Sequence, residues 1–333
     1  MHSTAVTAYR SHYGLRPTDP ADQTSLEPHE TSVDPAPDSL SADCPAKLDS
    51  PMAWRHTGWA GTRQRVLNAL AATAQSQARI DRMHSCGSDV WVVEQVAPPH
   101  RIRLSGNYCR DRMCKPCQAA RGRRIAGRLA KLCDGHTLRM ITLTLRHQAR
   151  SLTDTLNHLY ASYRRLRQTR TWTDSVTAAA AVLEVTRNLN SKTWHAHLHV
   201  LTTGTYLAQR LLVRAWLHAT GDSYIVDIRR VHDHRQAIAY LTRYISKPTN
   251  TRTYCDPDAL AEYVVAISGR RMVLVTGAWH GTGLTDDPPQ EEWTNVVPLS
   301  QLLAWVRHGD PAATELLRRL IERPDLPWEE HPP

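Results

Sequence analysis

The 333-residue chain has no phenylalanine, seven cysteines and only five lysines: Lys47, Lys115, Lys131, Lys192 and Lys247. Its positive charge is therefore almost wholly arginine, which reflects coding bias as readily as selection for phosphate contacts. Nothing approaches the roughly 18 consecutive apolar residues of a membrane helix, and residues 1–17 lack the apolar run of a signal peptide. These absences argue against a membrane partner and point to a soluble, cytoplasmic protein, one that would not use its cysteines as disulfides.

Acidic side chains are scarce in the middle of the chain. Residues 1–50 hold 3 basic and 8 acidic groups, and residues 286–333 hold 4 and 10. Of the chain's 41 basic and 32 acidic side chains, 34 and 14 remain for residues 51–285, a net charge of +20. A middle segment this basic between acidic ends suits a polyanion, and nucleic acid is the expected one.

The pattern divides the chain into four parts. Residues 1–51 are acidic and rich in Pro, Asp, Ser and Thr, without period, and are expected to be disordered. Residues 52–135 combine a helical pattern (Val66, Leu67, Leu70, Ala71, Ala74), a cysteine module and a basic helix. Residues 136–285 read β-α-β-β-α-β-α: strands at 140–145, 182–186, 194–202 and 224–228, helices from Ser151, at 207–218 and at 236–246. A further helix at 258–267 and a strand at 271–276 follow. That order predicts an α+β fold with a ferredoxin-like antiparallel sheet and helices on one face. Residues 286–333 are expected to be an acidic tail with surface helices at 299–306 and 312–321.

Three clusters carry chemistry. In Trp194-His195-Ala196-His197-Leu198-His199-Val200, a strand turns the three imidazoles to one face and the apolar residues to the other. If the hairpin closes around Asn190, Glu184 lies opposite His197, so that two imidazoles and a carboxylate form a site with open positions. That set suits Mg²⁺ or Mn²⁺, although imidazoles also accept zinc. The plain alternative is a polar sheet face with solvated histidines. In the second cluster, a helix places Tyr240, Tyr244 and Lys247 on one face and Ile238, Leu241 and Ile245 on the other. Phenols beside cations could attack phosphate; an amphipathic helix with tyrosines at its core boundary is the competing reading.

The third cluster is Cys86, Cys109, Cys114 and Cys117. Four thiolates in two close groups satisfy a tetrahedral structural Zn²⁺, with His84 or His100 as substitutes for Cys86. The basic helix that follows carries Arg121, Arg123, Arg124 and Arg128, a stripe suited to phosphate contacts or to simple solvation. Cys44, Cys133 and Cys255 read as ordinary thiols and His232-Asp233-His234 as an exposed turn. Arg164, Arg165, Arg167 and Arg170 could track single-stranded DNA or solvate a helix.

The histidine strand and tyrosine helix, in this order, resemble those of the His-hydrophobe-His (HUH) endonucleases, and most of all rolling-circle replication initiators of bacterial plasmids and two-tyrosine phage initiators. Residues 140–145 are similar to their first strand, Glu184 with residues 194–200 to their metal hairpin, and residues 240–247 to their Y-x-x-K-Y-x-x-K helix. Ala196 stands where Pro is common and Arg243 where Lys is usual. Tyr240 stands where many plasmid initiators have Glu, which leaves one or two nucleophiles open. The resemblance implies an RRM-like palm and a catalytic metal on His197, His199 and Glu184, with His195 as alternative ligand or phosphate contact. It further implies a covalent 5′-phosphotyrosine on Tyr244 or Tyr240, supported by Lys247. Arg243 would hold the DNA backbone.

The expected function is a site-specific, metal-dependent single-strand endonuclease and strand transferase that nicks an origin, single-stranded or extruded, to start rolling-circle replication. Host helicase and polymerase are the expected partners. The rival readings are a two-tyrosine transposase, a zinc-containing DNA-binding regulator without catalysis, and a zinc hydrolase using H-x-H ligands.

Overall fold

The computed structural model describes Met52, Arg55, His56 and residues 58–322, except 189–190, 247–248 and 286–291. The expectation of disorder for residues 1–51 therefore falls wholly outside the described residues, as do Lys247, Pro248 and the end of the acidic tail.

The centre of the molecule is a five-stranded antiparallel sheet. Its strands are β3 (Leu138–Thr144), β4 (Val176–Arg187), β5 (Trp194–Gly204), β6 (Val226–Arg230) and β7 (Val273–Gly277). Their spatial order is β6-β3-β5-β4-β7, with every pair antiparallel. An α+β fold built on antiparallel sheets is thus what the chain adopts.

Helices cover both faces, where the sequence suggested one. On the first face lie α4 (Leu152–Arg167), α6 (Gln209–Thr220) and α9 (Pro257–Ile267); α5 (Arg170–Thr173) and α8 (Thr251–Cys255) are short helices just before β4 and α9. They bury Leu156, Leu159, Trp216 and Tyr263 with Ile141, Leu143, Ala181, Leu183, Leu198 and Val200 of the strands. On the second face α3 (Lys115–Cys133) and α7 (His234–Ser246) pack Ile125, Leu129, Ile238, Leu241 and Ile245 over Ala178, Ala180, Val182 and Leu201. The reason is the pattern of β4: Ala178–Val182 is buried throughout. Small residues on both faces let helices approach from both sides, and an alanine run with no alternation hides the strand from a periodicity argument.

Local signals set several ends. Ser151 caps α4 by accepting from Asp154 N at 3.1 Å, as the S-x-x-D pattern requires. Gly221, at φ +83°, stops α6 and donates to Leu217 O at 2.7 Å, the left-handed conformation that a glycine adopts without strain. Asp233 caps α7 through Gln236 N at 3.0 Å, so the His232-Asp233-His234 segment, exposed at its first two residues and half-buried at His234, is a helix start.

A second, three-stranded sheet was not legible in the sequence. It is made of β1 (Ser88–Gln95), β2 (Ile102–Asn107) and β8 (Trp293–Pro298), in the order β2-β1-β8. The helices α10 (Leu299–Arg307) and α11 (Pro311–Glu322) share a core with it through Val92, Val297, Leu302 and Leu317. The segment expected to be a surface tail is therefore partly a strand that completes this sheet, nearly 200 residues after its partner β1. Upstream, α1 (Ala60–Ala72) and α2 (Gln77–His84) pack Leu70 and Met83 into the first core. Among the described residues no helix is long and apolar enough to cross a membrane.

Candidate active site and metal centre

The register of the central hairpin pairs Glu184 with His197 and Val182 with His199. On the other side of β5, Thr144 lies opposite His197 and Thr142 opposite His199. Residues directly opposite share a face, so one carboxylate, three imidazoles and two hydroxyls line the second face of the sheet. Thr142 Oγ1 meets His199 Nδ1 at 3.3 Å and Thr144 Oγ1 meets His197 Nδ1 at 3.1 Å. His199 Nε2 donates to Glu184 Oε2 at 2.8 Å. A hydroxyl on Nδ1 holds each ring in place and turns Nε2 the other way, where that of His199 meets Glu184. Neither threonine was singled out from the sequence. The signal was present, since Thr142 and Thr144 alternate with apolar residues and must share one face.

The surroundings favour the protonation states a cation needs. Burial lowers His197 to about 4, against the raising effect of Glu184, so the ring is neutral near pH 7. Burial pushes the Glu184 carboxyl up, yet the hydrogen bond from His199, with the electrostatic pull of its neighbours including Arg243, carries it below its usual range. The neutral His197 imidazole thus stands opposite an ionised Glu184 carboxylate, with His199 beside both. The set is not closed: successive rings His195, His197 and His199 stand 6.3 and 6.4 Å apart, centroid to centroid. His195 sits at the far end of the row, stacked at 4.2 Å on His147, which is hydrogen-bonded to Thr193. His147 lies three residues beyond β3, where no periodicity marks it.

Helix α7 brings both tyrosines to this face. The Tyr244 ring stacks on His199 with centroids 4.1 Å apart and 6° between planes. Tyr240 stands edge-on to His199 at 5.7 Å and to Tyr244 at 5.2 Å. Arg243 lies 5.0 Å from the Tyr240 ring and 5.4 Å from the Tyr244 ring. Burial raises the Tyr244 phenol above its ordinary value, and the Glu184 charge and Tyr240 push the same way. Ile238, Leu241 and Ile245 are buried on the opposite side of the helix.

The four cysteines converge. Cys86, Cys109, Cys114 and Cys117 are buried, with all four Sγ atoms within 4.8 Å of one another. Among the described residues they are the one group of three or more potential ligands drawn together so closely. Cys86 lies 3.7 Å from Cys114 and 3.6 Å from Cys117, and Cys109 lies 3.6 Å from Cys117. Sulfurs at about 2.3 Å from one tetrahedral ion would stand about 3.8 Å apart, whereas a disulfide needs about 2.05 Å. The residues fit a metal such as zinc. Cys86 is the fourth member, so His84 and His100 are not needed; His84 ends α2 on the surface and His100 Nδ1 contacts Gln95 O at 3.2 Å. Around the cluster, the buried Arg55 donates to Cys117 Sγ at 3.2 Å and lies 4.2 Å over the Tyr108 ring.

Cys114 caps α3, which links this cluster to the tyrosines. At Gly122 the two helices nearly touch: an added Cβ would lie 2.9 Å from Ser246 Oγ and 3.3 Å from Thr242 O of α7. Of the arginines on α3, Arg124 is exposed and Arg121 and Arg123 are half-buried. Arg128 is engaged by the carbonyls of Gly283 and Leu284. The other arginine series is on α4, across the sheet from the histidines; there Arg165 donates to Ala219 O at 2.7 Å and Arg167 covers the Tyr163 ring.

A protein rep from Streptococcus pneumoniae serotype 2 is 22% identical over 229 residues, 60% of this chain and 71% of that protein. No solved structure matches the chain significantly. A family described as "Replication protein" matches residues 101–300. That span takes in three of the four cysteines, the histidine strand and both tyrosines, covers more than half of the chain, and makes it a member of this replication-protein family.

Proposed function

We propose that the chain is a metal-dependent single-strand DNA endonuclease and strand transferase that nicks an origin and starts rolling-circle replication. One observation carries this reading: the Tyr244 ring stacks on His199, and His199 is bonded to Glu184. A nucleophile, a pair of imidazoles and an ionised carboxylate share one surface of a basic replication protein. A regulator that only bound DNA would have no use for that arrangement.

A divalent cation bound by Glu184, His197 and His199, Mg²⁺ or Mn²⁺, would polarise a scissile phosphate oxygen and offset the field that holds the Tyr244 phenol protonated. His195 would serve as an alternative ligand or a phosphate contact. Tyr244 Oη attacks phosphorus, the bond to the 3′ oxygen breaks, and the new bond leaves a 5′-phosphotyrosine. The phenol loses its proton and the departing 3′ oxygen takes one up. Lys247, three residues past Tyr244, is a compact charge that can approach the phenolate, whereas Arg243 beside Tyr240 has the planar fork suited to gripping the backbone. Arg121, Arg123, Arg124 and Arg128 contribute to the basic surface, Arg128 while bracing its carbonyls. The four cysteines hold Zn²⁺ in a structural role. Once nicked, the origin passes to host helicase and polymerase.

Trapping decides the assignment. Incubation with single-stranded DNA and Mn²⁺ should give a covalent adduct, and peptide mapping should find DNA on Tyr244. Tyr244→Phe should lose nicking, while Tyr240→Phe should still nick and fail in the later transfer. DNA on Tyr240 alone would reverse the order of the tyrosines. Undiminished nicking by His197→Ala/His199→Ala would remove the metal site.

A further inference from the structure

Beside Tyr244 lies a cleft of about 410 Å³ whose lining includes none of His195, His197 and His199. Its walls include Arg112 and Arg121 from the zinc-module side, Arg270 and Arg271 from the turn before β7, and His280 from the segment after it. Tyr244 itself forms part of the wall, and no carboxylate does among the described residues. The nearest acid in sequence to these groups, Asp111, is taken by Arg79 at 2.6 Å.

The four arginines divide by what already holds them. Arg112 donates to the carbonyls of Ile267 and Arg270, and Arg270 donates to Ala266 O and to Asn157. These two build the wall. Among the described residues, Arg121 and Arg271 make no such side-chain hydrogen bond, and Arg271 is exposed. Guanidinium groups gathered with no counter-charge repel one another, and an anion with several spaced charges relieves that repulsion. The volume is that of a site for one small ligand, or for a nucleotide or two of a single strand; a duplex does not fit.

We propose that this cleft holds the phosphodiester backbone of the single strand on one flank of the scissile phosphate, with Arg121 and Arg271 as its phosphate contacts. The inference rests on the nicking reading for what lies at Tyr244, and adds the path by which the strand leaves it. Because the contacts are to phosphate, they are indifferent to base sequence. They fix the register of the strand against Tyr244.

The test is binding of a labelled oligothymidylate to the full chain over a series of salt concentrations, without Mn²⁺ so that no cleavage intervenes. For a single strand each neutralised phosphate contributes roughly 0.7 to the slope of log affinity against log salt. Arg121→Ala/Arg271→Ala should therefore lower that slope by about 1.4, at two contacts of roughly 0.7 each. Arg121→Lys/Arg271→Lys should keep most of it. An unchanged slope in the alanine variant, with thermal unfolding like that of the parent, overturns the cleft and leaves the nicking reading standing. A parent chain that forms the Tyr244 adduct but whose oligothymidylate binding is insensitive to salt also overturns the cleft. A parent chain that neither binds nor forms an adduct defeats the reading beneath it.

Discussion

The two candidate metal centres of this protein are built on opposite principles. The cysteine cluster is dry, with sulfurs already at the spacing of a tetrahedral ion and an arginine pressed against one of them. The histidine face is looser, its rings spaced along a strand at more than 6 Å, with His199 and Glu184 within hydrogen-bond reach and Tyr244 of α7 stacked over His199. The difference is that between a set of ligands already gathered for one ion and a set that leaves room between its members. A structural site gains by closing all four positions, whereas a catalytic site needs positions left for substrate. Helix α3 connects them: it begins at the cysteines and presses Gly122 against the helix that carries the tyrosines. The closed site is thus placed to brace the open one.

The largest effect should come from breaking the closed site. Structural zinc in small modules brings roughly 10–16 kcal/mol of apparent binding free energy, much of it spent on folding. Cys114→Ser/Cys117→Ser should therefore lose the single tightly held zinc expected per chain and several kcal/mol of stability, and nicking should fall with it because α3 no longer holds α7. Elemental analysis with thermal unfolding reads both. Unchanged zinc content and melting would mean that the cysteines pack without a metal.

A smaller and more selective effect is expected from the hydroxyls behind the open site. Thr142→Val/Thr144→Val keeps the shape of both side chains and removes the partners of His199 Nδ1 and His197 Nδ1. Losing such supporting partners typically costs ten- to a hundredfold in metal affinity. Titration calorimetry should show Mn²⁺ binding weakened by that order while the zinc content stays as it was. Equal Mn²⁺ affinity would show that the threonines do not orient the ring nitrogens.

The smallest effect concerns pH. His197 is lowered from 6.5 to about 4 by burial, so between these values the unfolded chain binds more protons than the folded one. The stability contributed by its neutral form is present above pH 6.5 and is lost as pH falls toward 4. In protein freed of divalent ions, His197→Gln should flatten the stability profile across that window and leave the alkaline side alone. Denaturant unfolding at a series of pH values checks it, and an unaltered profile would place His197 in water.

Legibility differed between the regions for physical reasons. The α4 helix, the β4–β5 register and the grouping of His197, His199 and Glu184 on one face followed from period-2 and period-3.6 patterns, because each depends on contacts only a few residues apart. The small sheet did not. Its pairing of β1 with β8 joins residues 88–95 to 293–298, and no local signal announces a partner so distant. The α3–α7 contact is likewise decided in three dimensions, through a glycine whose only distinction is that another helix passes over it.

The sequence by itself determined which groups could do chemistry: four cysteines in two close sets, alternating histidines on one strand and two tyrosines a helical turn apart, all in a segment of net charge +20. Covalent spacing and backbone geometry place such groups on a common face wherever the element forms. Only the tertiary structure decided that α7 would lie over the histidine face and stack Tyr244 on His199, that helices would cover both sides of the sheet, and that Arg271 would meet Arg121 across a cleft. Those outcomes depend on which apolar surfaces are buried against each other, and burial is a property of the whole chain.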